Sequence, residues 1–560
     1  MRRLAPALVL ASALVLASCS SGGSDASDST SAAKGATSTT TASSTEPGKG
    51  HECNQGASMD EVTTEPVAGT DHDLTMTSFD GTDIRLHWFP VEGASADEPA
   101  PTILMGPGWS LAGDTSTDGA ALFGALSIKS MWEAGYNVLT WDPRGFGESG
   151  GVATVNAADH EGRDVQAMLD FVASQPEAQT DGEGDPRVGM VGFSYGGGIQ
   201  LVTAAIDCRV DAIVPGIAWN SLKSSLYKAD TVKTGWSRIL TSTVDPKRLD
   251  PHIVSASTSG LADGSLSDED REWFISRGPG DAIADIDIPT LFVQGTVDTL
   301  FTLDEATTNY GILRKHDVPT AMLWFCGGHG TCLTDAGDPE RVAKASFDWL
   351  DKYLKGEPKA IDADTDRVNL IDQDGTQWTA EDWPIAQGEP VSATGSGSLD
   401  LTAEGGSGGT VAPPAGDPLG GLVSNITPTR ATNSVDVAIE PTEDALAVGA
   451  PQLLLRYSGT FGPDVASPKF RVFAQLVDDE TGLVIGNQIT PIQLTLDGAE
   501  HTVDTDLEMI AHRLEPGQTV TLQLVPTTTA YATPTLGGTV TFDEITISLP
   551  TASPKAVTEG

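Results

Sequence analysis

The 560-residue chain predicts two joined parts. The first is an α/β doubly wound sheet carrying a helical cap insertion. The second is an all-β, jelly-roll-like sandwich. Three observations predict this. Short apolar runs alternate with helix-like stretches to about residue 355. That alternation stops between residues 219 and 280, where helical patterns crowd together. Beyond residue 367 apolar and polar residues alternate singly, and turn residues separate the runs.

In chain order, strands are expected at 73–79, 84–89, 102–107, 137–142, 188–193, 212–217, 290–295 and 321–326. Helical patterns lie between the later ones, at 160–173 and 339–354 for example. Eight strands with crossover helices make a doubly wound sheet, with a hairpin at its front edge. This domain spans 63–360. Its insertion, 219–285, contains helical patterns at 222–232, 235–243 and 268–276. It falls between the sixth and seventh strands, where it would cap the site and exclude water. The β-sandwich spans 361–560, with runs such as Gln452-Leu-Leu-Leu-Arg-Tyr and Phe470-Arg-Val-Phe-Ala-Gln-Leu-Val. Residues 405–421 form a Gly/Pro-rich loop. Asp362-x-Asp-x-Asp366 lacks the glycine and final Glu of a calcium loop and reads as a solvated charge run.

The chemistry is concentrated in Val188-Gly-Met-Val-Gly-Phe-Ser-Tyr-Gly-Gly-Gly198. This places Gly-x-Ser-x-Gly between a strand and a helix, the context of a nucleophile elbow. The turn is too tight for side chains beside Ser194. The helix that follows aims free backbone N–H groups at the place where an oxyanion would form. Asp298 follows the strand 290–295, and His329 follows the strand 321–326 in Gly-Gly-His-Gly. The order Ser, Asp, His is that of the α/β-hydrolases. Each residue lies just past a strand's C-terminal end, where open parallel sheets place their sites. His329 would take the proton of Ser194, and Asp298 would hold the imidazole tautomer. Asp285, Asp287 and Asp304 are nearby alternatives, but they flank the strand or start the next helix. Thr102-Ile-Leu-Met-Gly-Pro-Gly-Trp109 runs from a strand into a tight loop. The backbone N–H groups of Trp109 and Tyr195 are the candidate oxyanion donors. Asp142 and Arg144, in a later strand-turn, are expected to pin loops.

Arg2 and Arg3 precede an apolar core too short to span a bilayer, so residues 1–19 read as a signal peptide. The ending Leu16-Ala-Ser-Cys19 resembles a lipobox, which implies lipidation at Cys19. Residues 20–62 read as a flexible tether, Ser/Thr-rich to about residue 50. Removing Cys19 from five cysteines leaves four. Outside the cytosol these suggest two disulfides, with three possible connectivities; Cys326–Cys332 would close a small loop around His329, and Cys53–Cys208 would then tie the end of the tether to the core. The expected place is the extracytoplasmic face of a bacterial membrane, held by the lipid. No Cys-x-x-Cys exists, so no metal site is expected, and no cofactor is called for. The net charge is −46, with 32 Lys and Arg against 78 Asp and Glu. This argues against nucleic acid and favours cationic substrates.

The pattern resembles the X-prolyl dipeptidyl peptidase/cocaine esterase group of serine hydrolases over roughly residues 65–550. The likeness rests on Phe79-Asp-Gly-Thr-Asp, Asp142-Pro-Arg-Gly-Phe-Gly-Glu-Ser-Gly, Gly192-Phe-Ser-Tyr-Gly-Gly, the Gly-Gly-His329 loop and the appended β-domain. Ile510-Ala-His-Arg-Leu-Glu-Pro-Gly-Gln looks like that domain's edge hairpin. The resemblance implies release of Xaa-Pro dipeptides, or cleavage of esters and amides with a bulky acyl group. Ser194, Asp298 and His329 match the family's triad. One departure stands out. Cocaine-esterase-like members place a Tyr hydroxyl in the oxyanion hole after the third strand, whereas here Pro-Gly-Trp109-Ser leaves a backbone donor. The expected activity is therefore an acyl-transfer hydrolase on a small-molecule or peptide substrate, dipeptidyl-peptidase-like. A carboxylesterase/acylase is the alternative and an inert binding lipoprotein a second one. A dipeptidyl peptidase needs a cap group for the substrate ammonium, for which Asp268, Glu269, Asp270, Glu272 and Asp281 are available.

Overall fold

The computed structural model describes residues 62–119, 126–357, 367–409, 423–461 and 469–560. The signal peptide, Cys19, the tether, Cys53 and the acidic run at 362–366 lie outside the described residues.

The large mixed sheet contains strands β1 (Thr64–Pro66), β2 (Asp73–Thr77), β3 (Asp83–Phe89), β4 (Thr102–Gly106), β5 (Asn137–Trp141) and β6 (Val188–Phe193). It continues with β7 (Val210–Gly216), β8 (Thr290–Gly295), β9 (Thr320–Phe325), β10 (Val368–Ile371) and β11 (Gln377–Ala380). The order is β1-β2-β3-β5-β4-β6-β7-β8-β9-β10-β11, and Thr558–Glu559 adds the last edge. From β5 to β10 neighbours are parallel, and both ends of the sheet are antiparallel. Parallel strands are covered on both faces, so their side chains feed two cores alternately. Met190, Ile213, Phe292 and Met322 face one core. Val191, Val214, Val293 and Leu323 face the other.

Helices α1 (Ile128–Glu133), α2 (Glu161–Ala173) and α3 (Tyr195–Ile206) precede the cap. The cap consists of α4 (Leu222–Leu226), α5 (Thr234–Thr241), α6 (Pro251–Asp263) and α7 (Asp268–Ile275). Helices α8 (Leu303–Lys315) and α9 (Arg341–Lys355) complete the α/β domain. Helix α9 lays Ala345, Trp349, Leu350 and Leu354 on the second core, while α8 lays Ala306, Tyr310 and Leu313 on the first. Two cap expectations change. The helix expected over 222–232 ends at Leu226, where Tyr227 and Ala229 leave helical geometry. Helix α6 was not expected. Pro251, a breaker in mid-helix, here occupies the first turn, and the Asp250 side chain caps it by accepting from the His252 N–H.

Residues 391–549 form the sandwich, mainly two four-stranded antiparallel sheets. Its core packs Leu453, Leu455, Val472, Leu522, Phe542 and Ile547. One boundary is corrected. β10 and β11 pair on to β9, so the large mixed sheet continues past the expected boundary at 360. The alternation in these strands is the same whichever sheet they join. Asp142 and Arg144 do pin loops. Asp142 accepts from the Gly113 and Glu148 N–H groups at 2.8 and 2.7 Å. Arg144 forks onto Asp164 with two 2.7 Å bonds. Cys326–Cys332 is a disulfide, and Cys208 is disulfide-bonded too. Among the described residues, no helix is long and apolar enough to cross a membrane.

The cap is hinged to α8 through Glu305. This buried carboxylate accepts from the Asn220 and Ser221 N–H groups and the Ser224 hydroxyl. Burial outweighs these donors and pushes its pKa from 4.5 up to about 7. The folded state thus keeps a proton that the unfolded chain releases above pH 4.5. Stability from this group is present below the unfolded value and falls as pH rises towards about 7, by on the order of 3 kcal/mol at most. Glu305→Gln should flatten that decline. Thermal unfolding of both proteins between pH 4.5 and 7.5 checks this, and parallel Tm curves would refute it.

Candidate active site

Ser194 stands between β6 and α3 with φ 58° and ψ −116°. This backbone conformation is strained for any side chain, at a cost of about 1–3 kcal/mol. It persists because its neighbours are glycines. A Cβ on Gly192 would lie 2.7 Å from the Gly106 carbonyl oxygen, and one on Gly196 only 2.1 Å away. The Ser194 N–H donates to the Gly216 carbonyl on β7, and its own carbonyl accepts from Gly197 and Gly198.

The three residues expected to act together are in contact. Ser194 Oγ lies 2.7 Å from His329 Nε2, and His329 Nδ1 lies 2.7 Å from Asp298 Oδ2. Asp298 is fully buried. Its Oδ1 accepts from the Leu300 and Phe301 N–H groups at 2.9 and 2.8 Å, and Oδ2 also accepts from the His329 N–H at 3.0 Å. The carboxylate therefore holds His329 at both backbone and ring. Nδ1 facing a carboxylate carries the proton, which leaves Nε2 free to accept one from Ser194. The other carboxylates stand elsewhere; Asp304, for instance, pairs with Lys228 at 2.9 Å. Glycines again permit the geometry. Gly328 has φ 109°, and a Cβ on Gly330 would overlap the Val297 carbonyl oxygen at 1.8 Å. Trp236 and Phe301 present near-perpendicular rings to His329, at 5.8 and 5.2 Å between centroids. They shut water away from the imidazole.

Trp109 and Tyr195 both border Ser194. Tyr195 opens α3, and its backbone N–H is one of the first-turn donors that no helix carbonyl can reach. Among the described residues, neither this N–H nor that of Trp109 has a protein acceptor. Their rings pack edge to face at 5.1 Å. The Tyr195 hydroxyl points away, donating to Glu161 at 3.0 Å.

The pocket beside Ser194 was only partly foreseen. It is lined by Trp109, Val155, Tyr195, Trp219, Leu222, Leu226, Ile253 and Phe301. Four of these come from the cap segment. Val155 and Asn156 both have positive φ, 59° and 52°, which is rare for a β-branched residue. Glu161 holds this turn by accepting from the Thr154 and Ala157 N–H groups at 2.6 and 2.9 Å. Asn156 Nδ2 donates to the Tyr195 carbonyl at 2.8 Å. No periodicity in the sequence marks such a turn. The cap carboxylates are not in the pocket. Asp270 is buried within the cap against His252, Ser255 and Ser267. Asp268 and Glu272 pair with Arg271, and Glu269 and Asp281 are exposed.

Residues 80–331 match the X-Pro dipeptidyl-peptidase (S15) family. Among solved structures, a CocE/NonD family hydrolase from Staphylococcus aureus superposes with a TM-score of 0.63 at 14% identity. The match covers 86% of this chain and 93% of that one. An α-amino acid ester hydrolase gives a TM-score of 0.61 at 14% identity over 87% of this chain and 98% of its own. At this identity the likeness concerns the fold. An uncharacterised protein of Pseudomonas aeruginosa is 36% identical over 90 residues, 16% of this chain. The chain spans 23% and 43% of the lengths of the curated relatives it matches. Elbow, glycine-flanked serine and sheet order agree with the match over residues 80–331, and the chain has the α/β-hydrolase fold with an appended all-β part, similar to the X-Pro dipeptidyl-peptidase and CocE/NonD proteins.

Proposed function

We propose that the chain hydrolyses esters or amides through an acyl-enzyme, and that its acyl group is apolar and uncharged. Ser194 Oγ attacks the carbonyl carbon while His329 Nε2 takes its proton. The tetrahedral oxyanion is received by the Trp109 and Tyr195 N–H groups. Collapse breaks the bond to the leaving alcohol or amine, which takes the proton back from Nε2. Water then repeats the sequence on the acyl-enzyme. Asp298 keeps the ring oriented and stabilises the imidazolium. Ser194→Ala should lose hydrolysis and labelling by a fluorophosphonate probe. Asp298→Asn should lower kcat by about 10⁴-fold with the fold retained. Equal labelling of wild type and Ser194→Ala would remove Ser194 from this role.

The observation that carries the acyl preference is the lining of the pocket. Beside Ser194 it offers aliphatic and aromatic side chains and, among the described residues, no carboxylate. An ammonium placed there would lose its hydration without an anion to replace it. This favours the esterase/acylase reading over a dipeptidyl peptidase, despite the net charge of −46. An Ala-Pro aryl amide compared with its N-acetylated form tests it, alongside aryl esters of increasing acyl length. Acetylation should raise kcat/KM or leave it unchanged, and longer acyl chains should be preferred to acetyl. A tenfold or greater preference for the free amine would restore the peptidase reading.

We further propose that the enzyme is anchored by lipid at the extracytoplasmic face. The lipobox ending at Cys19 and the Ser/Thr-rich stretch after it support this. Mass spectrometry of the mature N-terminus should find acylated Cys19, with several chains, since one holds a protein only marginally. An N-terminus free of acyl groups would refute it.

A further inference from the structure

The β-sandwich reaches the acid and base loops from outside the hydrolase domain. Its turn Ile485–Asn487 and the adjoining Gln488 lie against both loops. Gln488 Nε2 donates to the main-chain carbonyl of Asp298 itself at 2.8 Å, in a buried position. Asn487 Nδ2 donates to the Thr331 carbonyl at 2.8 Å, two residues beyond His329. The turn is shaped for this approach. A Cβ on Gly486 would come within 3.0 Å of the Thr296 carbonyl oxygen. Asn487 has φ 55°, a conformation asparagine adopts more readily than most residues.

The rest of the acid loop is held in the same way. The Leu300 carbonyl accepts from Lys233 Nζ of the cap at 3.1 Å. The Thr302 hydroxyl donates to Glu508 of the sandwich at 3.0 Å, and Glu508 pairs with Lys228 of the cap at 2.8 Å. Inside the loop, the Asp298 side chain takes the Leu300 and Phe301 N–H groups. The loop's inward bonds fix the carboxylate to its own backbone. Its outward bonds fix that backbone to the sandwich and the cap.

We propose that Gln488 and Asn487 are positioning residues for the Ser194–His329–Asp298 relay, so that the sandwich is part of the frame holding acid and base in register. The proposal rests on the triad reading above. Its physical basis is that a buried carbonyl keeps its partner. Without the Gln488 amide, the peptide after Asp298 turns to find another, and the carboxylate attached to it turns too. A misplacement of about 1 Å in a reacting constellation costs about 100-fold in rate.

The test uses the full chain and its best aryl ester. Gln488→Met keeps length and apolar bulk and removes the donor. Asn487→Asp keeps the residue's tolerance of positive φ and removes its amide donor. The comparison variant is Gln373→Met. The Gln373 side chain exchanges two hydrogen bonds with the Arg513 backbone across the hydrolase–sandwich boundary and, among the described residues, makes none to the acid or base loop; its main-chain carbonyl, which accepts from the Asp335 N–H, is kept in the variant. Gln488→Met should lower kcat by about 10- to 100-fold, with KM within twofold and fluorophosphonate labelling slowed in parallel. Gln373→Met should lose similar Tm while keeping its kcat. Should Gln488→Met fail to fold, Asn487→Asp supplies the same comparison. Unchanged kcat in the loop-facing variants, or kcat falling with Tm in all three, would overturn the proposal. An active Ser194→Ala would instead overturn the triad reading. An inactive Ser194→Ala beside a fully active Gln488→Met would overturn the positioning role alone.

Discussion

A Cβ on Gly106 would meet the Gly196 backbone at 3.0 Å, while one on Gly196 would meet the Gly106 carbonyl oxygen at 2.1 Å. β4 and the first turn of α3 therefore touch backbone to backbone, with Ser194 on the tight turn between β6 and that helix. This contact brings the loop carrying Trp109 close to Ser194, so that Trp109 and Tyr195 line the same pocket beside it. It also holds Ser194 at positive φ, so the relay from Ser194 to Asp298 starts from a backbone contact that tolerates no side chain. The acid and base loops repeat the principle, since Gly295, Gly328 and Gly330 all stand where a Cβ would collide with the neighbouring loop. Strain of a few kcal/mol is stored in these turns and is offset by the two packed cores beneath them.

Above this backbone frame the polar groups divide by task. The Ser194–His329–Asp298 contact is compact, with three side chains and two ring bonds of 2.7 Å. Around it lies a set of buried and half-buried charges that does not line the pocket. Lys228, Asp304 and Glu508 form one group at the meeting of cap, hydrolase and sandwich. Burial alone would raise the Glu508 pKa, but the two lysines facing it outweigh burial and hold it ionised below its usual range. Burial lowers the pKa of Lys233, which donates a hydrogen bond to the Leu300 carbonyl and lies near the Tyr531 ring. Removing one member of such a group leaves another charge unpaired, so these contacts fix relative placement more than they add stability.

Much of this was legible in the sequence for a simple reason. Parallel strands buried on both faces read as unbroken apolar runs, and the chemistry follows their C-terminal ends. That exposed β6, β8 and β9, and with them Ser194, Asp298 and His329. The less legible parts are those decided by partners distant in sequence. β10 and β11 alternate like any antiparallel strand, and only their pairing with β9 assigns them to the hydrolase sheet. Helix α6 is hidden by a proline that a first helical turn accepts. Val155 enters the pocket from a turn of positive φ held by Glu161, and nothing local announces it. Gln488 meets Asp298 across 190 residues, a separation at which neither period nor motif carries information.

The chain's last strand has a consequence for the sandwich as a whole. Thr558–Glu559 pairs antiparallel with Trp378 and Thr379, and the Gly560 N–H donates to the Gln377 carbonyl. The polypeptide leaves the hydrolase sheet after Ala380 and comes back to the same edge. Topologically the sandwich is thus an insertion with two covalent crossings side by side. A domain hung by one linker can swing, whereas one clamped at paired crossings has to shear against its base. The returning strand also covers β11, an edge otherwise open to strand addition by another chain.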